Sequence, residues 1–142
     1  MRTSLDILLV EDNEGDVEMT RRALSTANPP VRISVANNGN QALECLHREG
    51  KYEGAAAPDL ILLDINMPRM DGKQFLGVVK ESTEFKSIPV VMFTSSESAA
   101  DIRECYQRHA NGYVVKPFDG TQYANTLRQV INFWGNLGEL PK

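Results

Sequence analysis

Glu11, Asp12 and Asp64 follow directly on runs of large apolar residues, LDILLV ahead of the acidic pair and LILL ahead of Asp64. Two further runs, PVVMF and YVV, lead into Thr94 and Lys116. Carboxylates crowded together repel one another and resist joint ionisation unless a cation shares them. Mg²⁺ suits such a donor set: it takes one or two carboxylates, a carbonyl and several waters, and leaves room for a phosphate oxygen. The backbone carbonyl of Asn66, two residues beyond Asp64, could be the neutral donor. A carboxylate beside such an ion can attack phosphorus and form an aspartyl phosphate. Lys116 would then offset charge on the transferring group, and Thr94 would donate a hydrogen bond to one of its oxygens. Taken singly, each residue has a plainer role, since an aspartate after a strand is often a turn former or a helix cap. The case rests on the five recurring at equivalent chain positions.

They can meet only if the apolar runs are strands of one sheet. Residues 5–10, 60–63, 89–93 and 113–115 are continuously apolar, which suits strands covered on both faces by helices. Residues 31–36 (VRISVA) alternate, as an edge strand does. Helices are predicted over 16–27, 39–47, 72–81, 98–109 and 119–134. Asp16, Asn38, Asp71, Ser98 and Asp119 are plausible caps, and Gly50, Gly112 and Gly135 sit where the chain leaves helices. A strand-helix unit repeated five times implies right-handed crossovers and a parallel sheet, an α/β three-layer sandwich. In open parallel sheets, ligands collect at the carboxyl ends of the strands, near the point where strand order reverses. Glu11, Asp12, Asp64, Asn66, Thr94 and Lys116 would all be delivered to that edge.

Length and charge narrow the function classes. The 142 residues fit one domain over 1–142, with a core at about 5–134 and a tail at 135–142 too short for an effector domain. Fifteen basic against nineteen acidic residues give a net charge of −4, and no basic run offers a footprint for a phosphate backbone, so direct nucleic-acid binding is not expected. The apolar stretch near the N-terminus is too short for a signal peptide or a membrane span, which points to the cytoplasm. Cys45 and Cys105 are far apart and read as reduced, buried helix residues. His47 and His109 read as solvated. A nucleotide-binding protein of similar topology would need a Gly-rich loop after the first strand, where this chain has VEDNEGD.

As a set, "ILLVEDN", "LILLDINMPRMDG", "VVMFTSS" and "GYVVKPF" resemble the receiver domain of two-component response regulators. The resemblance implies a flavodoxin-like strand order of 2-1-3-4-5 and Asp64 as the phosphorylated residue. It implies Mg²⁺ held by Glu11, Asp12, Asp64 and the Asn66 carbonyl, with Glu11, longer than the usual aspartate, reaching the metal through water. Thr94 would be the hydroxyl that reorients toward the phosphoryl group, Lys116 its salt-bridge partner, and Tyr113 the aromatic that turns inward as Thr94 moves. Pro117 matches a cis peptide found in the family. A sensor histidine kinase is the implied partner, and the length, the long loop before residue 60 and the "INFW" ending are similar to regulators that serve bacterial phytochromes. The chain would be a stand-alone signalling switch that catalyses its own phosphorylation and dephosphorylation. Its output would be a homodimer through helix 98–109, strand 112–115 and helix 119–134, with Tyr123 in the core and Phe133 or Trp134 at the interface. The alternative is a phosphorylation-independent binding module of the same fold, which loss of the lysine or the nucleophile would mark; both are present.

Overall fold

The structure is a computed structural model describing residues 3–141; positions 1, 2 and 142 of the expected domain and tail lie outside the described residues. Five strands alternate with five helices: β1 (Leu5–Val10), α1 (Glu14–Leu24), β2 (Val31–Ala36), α2 (Gly39–Leu46), β3 (Leu60–Leu63), α3 (Gly72–Glu81), β4 (Val90–Thr94), α4 (Ala99–Gln107), β5 (Gly112–Val115) and α5 (Gly120–Asn132). All four strand pairings are parallel, in the order β2-β1-β3-β4-β5. This is the expected α/β sandwich, and the reversal of strand order falls between β1 and β3.

The continuous apolar runs have a direct physical origin. Successive strand residues point to opposite faces, and each face of this sheet carries its own core. Leu5, Ile7 and Leu9 of β1 and Leu60 and Leu62 of β3 pack with Ala23 and Leu24 of α1 and Tyr123, Leu127 and Ile131 of α5. Leu8, Val10, Ile61 and Leu63 pack on the other face with Ala42 and Leu46 of α2, Phe75, Leu76 and Val79 of α3, and Cys105 of α4. Both faces of β3 are fully covered, and β1 meets water only at half-buried Asp6, so neither strand alternates. Both cysteines are buried and free, and Tyr123 is core, as expected. Among the described residues no helix is long and apolar enough to cross a membrane.

Several expectations need correction. β5, read as covered on both faces, lies at the sheet's free edge and is half-buried along its whole length. Partial cover on both faces keeps it apolar without burying it. α1 starts earlier than predicted, at Glu14, because Asn13 rather than Asp16 is its cap: the Asn13 side chain accepts from the Asp16 N–H at 2.9 Å. It also ends earlier, at Leu24. α5 gives way after Asn132 to a wider helical turn over Phe133–Leu137, so the segment read as a tail begins as ordered helix. Asn136 there donates to the Asn28 carbonyl at 2.9 Å, which ties this turn to the start of β2. Gly112 opens β5 and Gly135 lies inside that turn, so neither marks a helix exit. Among the described residues the cis bond is Asn28–Pro29, not Lys116–Pro117. An X-Pro bond prefers trans by only about 0.5–1 kcal/mol, so a motif match alone does not fix the isomer.

Candidate functional site

The sheet's hydrogen bonds continue one residue past the strands and set the site's backbone. The Glu11 N–H donates to the Ala36 carbonyl (2.9 Å), the Asp64 N–H to Val10 (3.0 Å) and the Lys116 N–H to Thr94 (2.7 Å). These bonds bring the expected residues to one edge. One oxygen from each of Glu11, Asp12 and Asp64 can lie within 4.8 Å of the others. Glu11 and Asp64 are buried and Asp12 is exposed, so the group opens to water on one side. Asn66 is exposed just beyond it. Thr94 is fully buried at the end of β4.

Lys116, only 9% exposed, is the hub. Its ammonium reaches Glu11 Oε1 at 2.5 Å, Asp16 Oδ2 at 2.8 Å and Asp64 Oδ2 at 3.3 Å. Burial alone would lower the lysine's pKa, but the hydrogen bonds to Asp16 and Glu11 outweigh it and hold it above its ordinary value. Glu11 moves the other way for a carboxylate: burial, with the Asp64 charge adding, pushes it up to about 7 against the pull of Lys116. One ammonium therefore serves three carboxylates, and Asp12 stands beside them. That donor set fits a hard divalent cation, the added charge that lets neighbouring carboxylates ionise together.

Asp64 is held tightly. Its Oδ1 accepts from the Ile65 N–H at 2.8 Å. Gly72, the first residue of α3, packs so close behind it that a Cβ there would fall 2.0 Å from the Asp64 carbonyl oxygen. Aspartate at position 71 caps α3 with a reciprocal bond from Gln74, so the DGKQ stretch both starts the helix and presses it against the Asp64 turn.

Two features went unread in the sequence. The first is Asp16, taken for a cap and found on Lys116. A carboxylate at the third helical position ordinarily reaches back to the N–H of the cap residue. Here the Asn13 N–H is already held by Glu11 Oε2 at 3.2 Å, so Asp16 turns to the lysine. The second is a polar chain across the β4–α4 loop. The Ser96 N–H approaches Thr94 Oγ1 (3.4 Å), Ser96 Oγ donates to Asp101 (2.5 Å), and Asp101 pairs with Lys73 of α3 (2.6 Å). The Tyr113 hydroxyl donates to the Ser96 carbonyl at 2.9 Å, which places the expected switch aromatic on that same loop. His47 and His109 are exposed and away from the cluster, as expected.

The chain is similar to known proteins over nearly its whole length. The family model for the response regulator receiver domain matches residues 7–128. Response regulator Rcp1 of Synechocystis is 33% identical over 135 residues, 95% of this chain and 92% of Rcp1. The crystal structure of the phosphorylated cyanobacterial phytochrome response regulator RcpA superposes with a TM-score of 0.92 at 34% identity, covering 98% of this chain and 99% of RcpA. The Mn²⁺-bound form of Rcp1 superposes at 0.90 with 32% identity, over 97% and 99% of the two chains.

Proposed function

The chain belongs to the response regulator receiver family, and on that premise we propose that it is a phosphorylation switch in which Asp64 takes a phosphoryl group from the histidine of a sensor kinase. A carboxylate oxygen of Asp64 forms the new O–P bond, the P–N bond to the imidazole breaks, and the imidazole leaves with its electron pair. Hydrolysis by water later returns the carboxylate and releases inorganic phosphate. Lys116 balances charge on the phosphoryl oxygens, and the Thr94 hydroxyl donates to one of them once it turns from the Ser96 N–H. Glu11, Asp12, Asp64 and the Asn66 carbonyl would hold Mg²⁺, which supplies neutralising charge at the phosphoryl oxygens when bound. The observation that carries this reading is the convergence of the Glu11, Asp12 and Asp64 carboxylates with Lys116 at the reversal point of the sheet.

A phytochrome-type histidine kinase is the partner we infer, supported by the full-length similarity to Rcp1 and RcpA. That the chain acts alone in the cytoplasm belongs to the same proposal, as does an output surface on α4, β5 and α5 used for homodimerisation. Tyr106, Phe118 and Phe133 are exposed on or beside that face. Trp134 stacks edge-on against Phe133 at 5.0 Å and is partly buried against the core, so Phe133 is the better anchor.

The test is incubation with Mg²⁺ and acetyl phosphate followed by intact mass. One phosphoryl group is expected, absent in Asp64→Asn and absent with chelator. Full labelling of the Asp64→Asn chain would show that another residue is the acceptor.

A further inference from the structure

Each Glu11 carboxylate oxygen already accepts a hydrogen bond in this structure. Its Oε1 is on Lys116 and its Oε2 accepts the Asn13 N–H. The proposed metal site also counts Glu11 among its donors, directly or through water, so a bound cation and Lys116 would compete for the same carboxylate charge. A buried ammonium stripped of a partner is costly unless another carboxylate holds it. Asp64 is the poorer candidate, since it too is a donor to the metal and stands farthest from Lys116, at 3.3 Å.

Asp16 meets the requirement. It lies in the first turn of α1, where the helix's unpaired N–H groups favour a negative charge. It reaches Lys116 at 2.8 Å from a different element and lies outside the cluster of Glu11, Asp12 and Asp64. Its side chain is partly open to water, 27% exposed, while the lysine itself is almost covered. We propose that Asp16 is a positioning residue that retains Lys116 when the acidic cluster takes a divalent cation, freeing Glu11 to serve the metal without leaving the lysine unpaired. This rests on the reading of Glu11, Asp12 and Asp64 as a divalent-cation site.

The proposal makes Asp16 act on metal affinity only through Lys116, which a double-mutant cycle isolates. Mg²⁺ binding is measured by titration calorimetry on the full chain for wild type, Asp16→Asn, Lys116→Ala and the double variant. Glu14→Gln, which removes an exposed acid from the same helical turn, controls for general charge. Asp16→Asn is expected to weaken Mg²⁺ binding roughly tenfold with Lys116 present and less than about twofold with Lys116 absent, the size of coupling found for residues sharing one ion-pair network. Glu14→Gln is expected to stay within about twofold in both backgrounds, as an exposed charge screened by solvent should. Lys116→Met takes the place of Lys116→Ala if the alanine variant does not fold. Equal weakening by Asp16→Asn in both backgrounds would mean that Asp16 acts on the metal directly and would overturn the proposal. No weakening in either would overturn it too, by showing that the lysine needs no second carboxylate. Failure of the wild-type chain to bind Mg²⁺ would instead refute the metal-site reading, and the proposal with it.

Discussion

Replacing Gly72 with alanine should damage both the fold and the site, and the structure gives the size of the effect. The new Cβ would lie 2.0 Å from the Asp64 carbonyl oxygen, 2.8 Å from the Ile65 Cα and 2.9 Å from the Asp64 carbonyl carbon. All three are backbone atoms, so no side chain can swing aside. α3 must withdraw from the Asp64 turn by more than an ångström, which stretches the Gly72 N–H bond to the Ile65 carbonyl, now 2.9 Å, beyond useful length. Overpacking of this kind costs about 1–3 kcal/mol, and the lost hydrogen bond about 1 kcal/mol more. The better helix propensity of alanine returns less than about 1 kcal/mol. A net loss of about 1–3 kcal/mol in a domain of this size lowers Tm by roughly 4–10 °C. Thermal unfolding followed by circular dichroism reads the shift, and acetyl phosphate labelling reads the displaced Asp64. Gly120, first residue of α5, has nothing within 4 Å of its own added Cβ, so Gly120→Ala should leave Tm unchanged or raise it. A Gly72→Ala chain melting within about 2 °C of wild type would refute the close-contact argument, and an equal fall in Gly120→Ala would show that glycine loss itself is harmful.

Three further outcomes are expected. Burial pushes the Tyr123 hydroxyl up to about 12 from its ordinary 10. The folded chain thus keeps a proton that the unfolded chain has lost, and the resulting stability, about 2–3 kcal/mol, is complete below pH 10 and lost as pH rises through 12. Tyr123→Phe should flatten that alkaline limb in urea unfolding across pH 9–12, and an unchanged slope would assign the loss elsewhere. Lys73 and Ser96 hold the Asp101 carboxyl below its ordinary value, so its contribution is present above about pH 4 and disappears as pH falls through the lowered value. Asp101→Asn should cost about 1 kcal/mol at pH 7 and nothing in strong acid; equal costs at both would refute the pairing. Lys116→Ala should still bind Mg²⁺ and accept phosphoryl on Asp64 but should not change association state on labelling, which sedimentation velocity would read.

How much of this was legible beforehand depended on whether a residue's partner is set locally. The runs at 5–10 and 60–63 name their own environment, because a strand that never alternates must be covered twice. Asn38, Asp71, Ser98 and Asp119 were readable as caps, since a cap bonds within three residues. The convergence of Glu11, Asp12, Asp64 and Lys116 followed from a parallel sheet, which delivers the carboxyl end of every strand to one edge. Asp16 defeated that reasoning because its two roles compete. Local spacing favours the cap, while the true partner lies a hundred residues away in sequence and becomes available only because Glu11 occupies the Asn13 N–H. β5 misled for a related reason: composition reports that a strand is apolar, whereas its edge position is a property of the whole sheet. The Lys73–Asp101 pair joins two helices whose facing surfaces no sequence period specifies.

The same partition of contacts bears on how a phosphoryl group at Asp64 could reach the outer face of the proposed switch. Lys116 sits nearest Glu11 and farthest from Asp64, so the ammonium has distance to travel when about −1.5 to −2 of charge is added to Asp64. The lysine cannot move without consequence, because its N–H is bonded to the Thr94 carbonyl at 2.7 Å and so couples the start of the β5–α5 loop to the end of β4. Thr94 in turn touches Ser96, and Ser96 carries both the Tyr113 hydroxyl on its carbonyl and, through its own hydroxyl, Asp101 and Lys73. Withdrawing the Thr94 hydroxyl toward the phosphoryl group releases the Ser96 N–H first, and Ser96 is the point where β5 and α4 are both held. Under the proposed switch, a second arrangement of this one loop would reach both β5 and α4, at a cost of the few kcal/mol that its hydrogen bonds are worth.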